Sequence, residues 1–117
     1  MPRPLHERRR TPRHPCHGPA DFRVHNWFLR RGRILNLCLD GCLIQAHLST
    51  DCRPGDLLDL RFEINHLAFR ARCIVRRINP DNTLGVELLQ LSSRNQSQLR
   101  ELIAELATAA TPTSPSF

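Results

Sequence analysis

The chain contains no lysine and no tyrosine, and both absences narrow the classes of partner it can take. All 17 positive charges are arginines, and they exceed the acidic residues by six. Such an excess of positive charge predicts an anionic partner. With one tryptophan, five phenylalanines and no tyrosine, the chain has few of the aromatic side chains on which single-stranded nucleic acid stacks. A small anion is therefore favoured over nucleic acid.

Motifs typical of enzymes are also missing. The sequence has no Walker-type loop, no G-x-G-x-x-G and no constellation of serine, histidine and aspartate. Glu63 and Glu87 fall on predicted strands without a partner carboxylate for acid and base catalysis. We expect no enzymatic activity.

The five cysteines are odd in number, show no C-x-x-C spacing and come without a secretory signal, which predicts a reduced, cytoplasmic setting. His14, Cys16 and His17 form an H-x-C-H cluster that resembles half of a zinc site. No second ligand pair stands at finger or ribbon spacing, so we predict no metal site. No apolar run approaches the roughly twenty residues of a membrane span.

Short segments of alternating apolar and polar residues predict strands over most of the chain. The candidates are residues 20–24, 28–37, 41–46, 57–64, 68–78 and 83–91. Segment 57–64 has the clearest period of two, with Leu58, Leu60, Phe62 and Ile64 on one face. Six short strands joined by tight loops predict a small antiparallel barrel or sandwich.

The two ends of the chain differ from this pattern. Residues 1–17 are basic and rich in proline, which predicts a flexible arm, and the barrel is expected over 18–91. Ser93 with Gln96 is typical of a capping box, and apolar residues then recur at helical spacing, so a helix over 92–110 is expected to pack on the barrel. Residues 111–117 are rich in threonine, serine and proline and are predicted to be disordered.

One motif precedes the predicted first strand, and another follows the predicted second strand. The arm ERRRTPR contains an R-x-x-x-R pattern with an additional arginine after its first position, and the turn NLCLDG has the form N-x-C-x-x-G. Together they resemble the R-x-x-x-R and [D/N]-x-S-x-x-G motifs of the PilZ domain family, bacterial receptors for cyclic di-GMP. GVEL at 85–88 is similar to the family's G-V-x-F. The residues that match the two binding motifs are Arg9, Arg10, Arg13, Asn36, Cys38 and Gly41.

The resemblance implies a fold and a set of roles. The fold is an all-β, six-stranded antiparallel barrel with a basic N-terminal arm and a C-terminal helix. Arg9 and Arg13 are implied to hold the phosphates and guanine edges of cyclic di-GMP, with Arg10 as a further phosphate contact. Asn36 would offer an amide oxygen to a guanine. Gly41 would allow a positive φ or close approach of the ligand to the main chain.

Cys38 departs from the family pattern, which has serine at this position. A thiol is a poorer hydrogen-bonding group than a hydroxyl, and the exchange is expected to cost about 0.5–1.5 kcal/mol of one contact. At most this is roughly a tenfold change in affinity. Binding is weakened by such a change but not excluded.

Three functions in different classes remain open at this stage. The first is a cyclic di-GMP receptor that needs no other cofactor, in which ordering of the arm signals to a protein partner in motility, pilus or polysaccharide machinery. The second is a divergent adaptor that binds no nucleotide and acts by protein contacts. The third is a nucleic-acid binder that uses the basic arm, which the poor aromatic pattern disfavours. A homodimer is compatible with each.

Overall fold

The computed structural model describes residues 12–24, 29–46 and 52–110, which form six β-strands and one α-helix. The elements are β1 (His14–Val24), β2 (Leu29–Cys38), β3 (Gly41–Ala46), β4 (Leu57–Ile64), β5 (Leu67–Ile78), β6 (Thr83–Leu91) and α1 (Ser93–Ala110). All neighbouring strands are antiparallel, in the order β1-β2-β3-β6-β5-β4, and β4 pairs with β1 to close a barrel. The predicted fold class is confirmed.

The first strand begins earlier than the alternating pattern indicated. β1 starts at His14, so it includes the last four residues that the sequence assigned to the arm. Proline opposes a helix but is tolerated in a strand where its missing N–H is not needed, for example at a bulge. Pro15 pairs with Asn36 of β2, and the register shifts between Pro15 and Gly18. Residues 1–11 and 111–117, which carry the rest of the predicted arm and the predicted tail, lie outside the described residues.

The core fills the inside of the barrel and follows the period of two seen in the sequence. In β4 the side chains of Leu58, Leu60, Phe62 and Ile64 are at most 3% exposed. The ring of Phe62 stacks on that of Phe69 in β5, with centroids 4.9 Å apart. Burial of such a side chain contributes about 1.5–3 kcal/mol. The packed interior stabilises one strand register, and that register determines which side chains point out of the barrel.

The helix packs its apolar stripe against the barrel. Leu99 and Leu102 are almost fully buried, and α1 contacts β1, β5 and β6. The side chain of Asn95 accepts from the N–H of Arg70 at 3.1 Å and donates to the carbonyl of Ala68 at 3.2 Å, which fixes the start of the helix to β5. No helix among the described residues is both long and apolar enough to cross a membrane.

The predicted capping box at the start of this helix is wrong by one residue. The hydroxyl of Ser92, and not of Ser93, accepts a hydrogen bond from the backbone N–H of Asn95 at 3.1 Å. The carbonyl of Ser92 accepts from the N–H of Gln96 at 2.8 Å. Ser92 is therefore the N-cap, because its side chain accepts from a backbone N–H of the first turn.

Candidate ligand-binding site

The N-x-C-x-x-G segment forms the tight turn between β2 and β3. Cys38 pairs with Gly41 in the antiparallel register, and the carbonyl of Asp40 accepts from the N–H of Leu88 at 2.9 Å, which ties the turn to β6. The thiol of Cys38 lies 3.1 Å from Oδ1 of Asp40 and 3.3 Å from the carbonyl oxygen of Gly41. The thiol thus stabilises the turn itself.

A cleft of about 610 Å³ lies on the barrel beside this turn. It brings Arg13, immediately before β1, together with Cys38 and Gly41, three of the residues that the sequence selected. Arg9 and Arg10 lie outside the described residues. The full lining is Arg13, Cys38, Asp40, Gly41, Cys42, Arg76, Arg77, Gly85, Val86 and Glu87.

Strand pairing explains how Gly85 and Arg77 come to line the cleft and places Asn36 in the same row. Asn36 pairs with Leu43, Leu43 with Gly85, and Gly85 with Arg77. Directly opposed residues of paired strands point to the same face of a sheet, so these four residues form one row across β2, β3, β6 and β5. Leu37, Cys42, Val86 and Val75 form the neighbouring row, and all four are buried in the barrel. The row that contains Asn36 and Arg77 therefore faces outward.

Gly41 is required by strand packing and not by its backbone angles. Its φ is not in the left-handed region; among the described glycines only Gly55 has a positive φ, of 95°. A Cβ on Gly41 would lie 2.5 Å from the carbonyl oxygen of Val86 in β6. Of the two roles expected of Gly41, a positive φ is wrong, whereas close approach of a ligand stays a prediction. The close approach seen in the structure is that of the adjacent strand.

Two adjacent arginines of β5 enter the cleft, and the sequence did not select either of them. Arg76 is bound to Glu87 of β6, with its Nε and Nη2 at 2.7 Å and 2.6 Å from Oε1. The side chain of Arg77 forms no hydrogen bond or ion pair with another described residue. The register of β5 against β6 shifts between Val75 and Arg77, so Arg76 is the extra residue of a bulge. Two arginines in succession within an otherwise alternating strand are the sequence signal from which this irregularity could have been predicted.

Asn36 lies outside the lining of this cleft. Its Oδ1 is buried and accepts no hydrogen bond from any residue that the structure describes. A buried acceptor without a donor costs about 1–3 kcal/mol, so such an atom in a folded domain calls for an explanation. The structure leaves an acceptor without a donor at the position where the family motif has its first residue.

The thiols near the site are held in the protonated form. Burial raises the pKa of Cys42 well above its ordinary value, and the neighbouring thiols of Cys73, Cys38 and Cys16 raise it further. Burial also raises the pKa of Cys16 to about 11. Protonated thiols are poor nucleophiles and poor metal ligands.

The strand geometry of β1 places the side chains of the H-x-C-H segment on two different faces of the sheet. His14 and Cys16 are buried, whereas His17 is exposed. Within residues 12–24, 29–46 and 52–110 no group of three histidine, cysteine or acidic side chains is placed to hold a metal ion.

Comparison with known proteins assigns the family. The model of the PilZ domain matches residues 7–105, which is most of the chain. The chain belongs to the PilZ domain family. No match was found among the curated proteins.

Solved structures share the fold at low sequence identity. The PilZ domain of YcgR from Escherichia coli, solved with c-di-GMP, superposes with a TM-score of 0.68 at 18% identity, covering 88% of this chain and 94% of that one. The PilZ domain of CeSA from a cellulose-synthesising bacterium gives 0.67 at 10%, covering 82% and 98%. The Bacillus subtilis inhibitor of motility MotI/DgrA gives 0.74 at 15%, and this chain matches 88% of its own length and 52% of that chain.

Proposed function

We propose that this chain is a bacterial, cytoplasmic receptor that binds cyclic di-GMP in the cleft between its N-terminal arginines and the N-x-C-x-x-G turn. The observation that carries the proposal is that Arg13, Cys38 and Gly41, from two separate motifs, line one cleft. The YcgR domain, which shares the fold, was solved with c-di-GMP. The proposed role is recognition and signalling, not catalysis.

The charge of the cleft suits a ligand with two phosphates. Its lining carries three arginines, Arg13, Arg76 and Arg77, against the two carboxylates of Asp40 and Glu87. Arginine forks pair with phosphate oxygens and with the O6 and N7 edge of guanine. A volume of about 610 Å³ falls in the range of small-molecule sites. The carboxylate of Asp40 adds an acceptor for the N1–H and N2–H groups of guanine.

Asn36 fits this proposal only if its side chain turns on binding. Its Oδ1 is buried now, and a guanine N–H would supply the missing donor. Relief of this unsatisfied acceptor would favour the bound state over the free state. Such a local change, together with the ordering of the arm, is the proposed switch that a downstream protein reads.

A second candidate function is an adaptor that binds no nucleotide. The contacts of Cys38 favour it, because its thiol already lies within hydrogen-bonding distance of Asp40 and Gly41 in the free turn. The similar fold of MotI/DgrA, an inhibitor of motility, is compatible with action through a protein partner in motility, pilus or polysaccharide machinery. If the chain is such an adaptor, we expect a folded protein that does not bind cyclic di-GMP.

Titration calorimetry separates the two functions. We expect saturable binding of cyclic di-GMP, with no comparable binding of GTP or cyclic di-AMP. Arg9→Ala and Arg13→Ala should abolish the signal, whereas Cys38→Ser should preserve or tighten binding, by at most roughly tenfold. Arg70→Ala is the matched control, since it removes an exposed arginine outside this cleft.

The outcomes are distinct. Unchanged affinity in Arg13→Ala would contradict the receptor assignment. Absence of binding by the folded wild-type chain would leave the adaptor as the better account.

A further inference from the structure

We infer that Arg77 is a ligand-contacting residue of the cleft, held in place by the barrel itself and independent of the arm. This inference rests on the proposed function and names an additional residue of the same site. Neither sequence motif of the resemblance includes Arg77. It lies on β5, on the side of the cleft away from β1 and β2.

The first argument is the position of its side chain over a glycine. Gly85 of β6 pairs with Arg77, and the outward position at Gly85 carries no side chain. A Cβ built on Gly85 would lie 3.7 Å from Cβ and 3.8 Å from Nε of Arg77. The stem of Arg77 therefore lies across the sheet at Gly85, which directs the side chain from β5 towards β3 and into the cleft.

The second argument is the contrast between the two neighbouring arginines. Arg76 is neutralised by Glu87, which binds it through Nε and Nη2. Arg77 has no carboxylate or other hydrogen-bonding partner among the described residues, although it lines the same cleft. Its donors remain available to a ligand, and arginine forks bind phosphate and guanine edges in a bidentate manner.

The third argument is its alignment with Asn36. The outward row that contains Arg77 continues through Gly85 and Leu43 to Asn36. Neighbouring strands are about 4.8 Å apart, so the two ends of this row lie roughly 14 Å from each other across the sheet. Of this row, Gly85 and Arg77 line the cleft, so the space that Gly85 leaves open beside Arg77 is part of the cleft.

The geometry assigns different parts of the site to different elements. Arg13 approaches from the start of β1, and the turn contributes Cys38 and Gly41. Arg77 holds the opposite side, on a strand paired on both edges. The rigid side of the cleft is then ready before any arm residue engages.

The test is calorimetry of cyclic di-GMP with the 117-residue chain and with single substitutions at three positions, Arg77, Arg70 and Gly85. Arg77→Ala should weaken binding by roughly 5- to 150-fold, the loss expected for one bidentate arginine contact. Arg70→Ala, which makes the same change at an exposed site of the same strand outside the cleft, should change affinity less than twofold, on the order expected of a distant surface charge. Thermal unfolding of each variant checks that the fold is intact.

Substitutions of Gly85 test the space that this glycine leaves open beside Arg77. Gly85→Leu places a side chain where the stem of Arg77 now lies, and it should weaken binding at least as much as Arg77→Ala. Gly85→Ala should weaken binding less than Gly85→Leu does, because its Cβ would make only ordinary contacts with Arg77.

The outcomes distinguish this inference from the proposed function. If Arg13→Ala loses binding while Arg77→Ala binds as tightly as Arg70→Ala, the role of Arg77 is refuted and the receptor assignment stands. If the folded wild-type chain binds no cyclic di-GMP, the assignment fails and the inference fails with it. Loss of binding in Arg77→Ala and retention in Arg70→Ala would support both.

Discussion

Replacement of Gly41 by alanine should destabilise the barrel, whereas the same change at Gly85 should not. The two glycines lie on neighbouring strands, β3 and β6, and both line the candidate site. At Gly41 the new Cβ would lie 2.5 Å from the carbonyl oxygen of Val86, and at Gly85 the nearest atom, Cβ of Arg77, would be 3.7 Å away. The neighbour at Gly41 is backbone, which cannot rotate away as a side chain can.

The magnitude follows from these distances. Real Cβ atoms almost never approach within 3.0 Å, so β3 and β6 must separate by at least about 0.5 Å at Gly41. Forced overpacking of this kind costs about 1–3 kcal/mol of unfolding free energy. Gly85→Ala has no such cost and reduces the entropy of the unfolded chain, which stabilises by about 0.4–1 kcal/mol.

Urea unfolding of both variants beside the wild type measures the difference directly. A thermal scan should show a lower Tm for Gly41→Ala, by about 4–8 °C for each kcal/mol lost. Equal stability of the two variants would refute the argument that the carbonyl of Val86 is what requires glycine at position 41. In that case the better explanation for glycine at position 41 would be the close approach of a ligand to the main chain.

Three further predictions concern stability. The pKa of the Cys73 thiol is raised by burial from 9.0 to about 12, so between these pH values the unfolded state has lost a proton that the folded state retains. The contribution of Cys73 to stability should be constant below about pH 9 and then fall by up to about 1.4 kcal/mol per pH unit, so urea titrations should find a smaller alkaline slope in Cys73→Ala. Ser92→Ala should lower stability by about 0.5–2 kcal/mol while Ser93→Ala changes it little, and equal losses would contradict the assignment of Ser92 as the N-cap. Asn36→Leu should raise the stability of the ligand-free protein by about 1 kcal/mol, because it removes a buried acceptor without a donor, and abolish binding of cyclic di-GMP; a destabilised variant would show that the amide has a structural role.

Most of the architecture was predictable because it depends on local alternation. In β4 each second residue is apolar, and one register alone places Leu58, Leu60 and Phe62 inside the barrel. The bounds of β3, β4 and β6 agree with the predicted segments. The start of β1 does not agree with the predicted segment. Its prolines and mixed residues show no alternation of apolar and polar side chains, and this part of the strand is maintained by pairing with β2.

Only those residues of the candidate site that belong to one of the two sequence motifs were predictable. The resemblance selected Arg13, Cys38 and Gly41, which the fold brings into one cleft. Nothing near Arg77 in the sequence indicates that it lies beside the turn, because it follows Gly41 by 36 positions in the chain. That proximity depends on the pairing of β3 with β6 and of β6 with β5, which is non-local.

The sequence alone determined the strand segments, the amphipathic helix and the family, since each depends on residue order over short distances. The tertiary structure decided which side chains meet. The pairing of β3 with β6 places the carbonyl of Val86 against Gly41. The pairing of β6 with β5 brings Glu87 to Arg76, and the side chain of Arg77 has no described partner in the cleft. These contacts join strands that are distant in the chain, and the register of the closed sheet, which no single segment encodes, sets them.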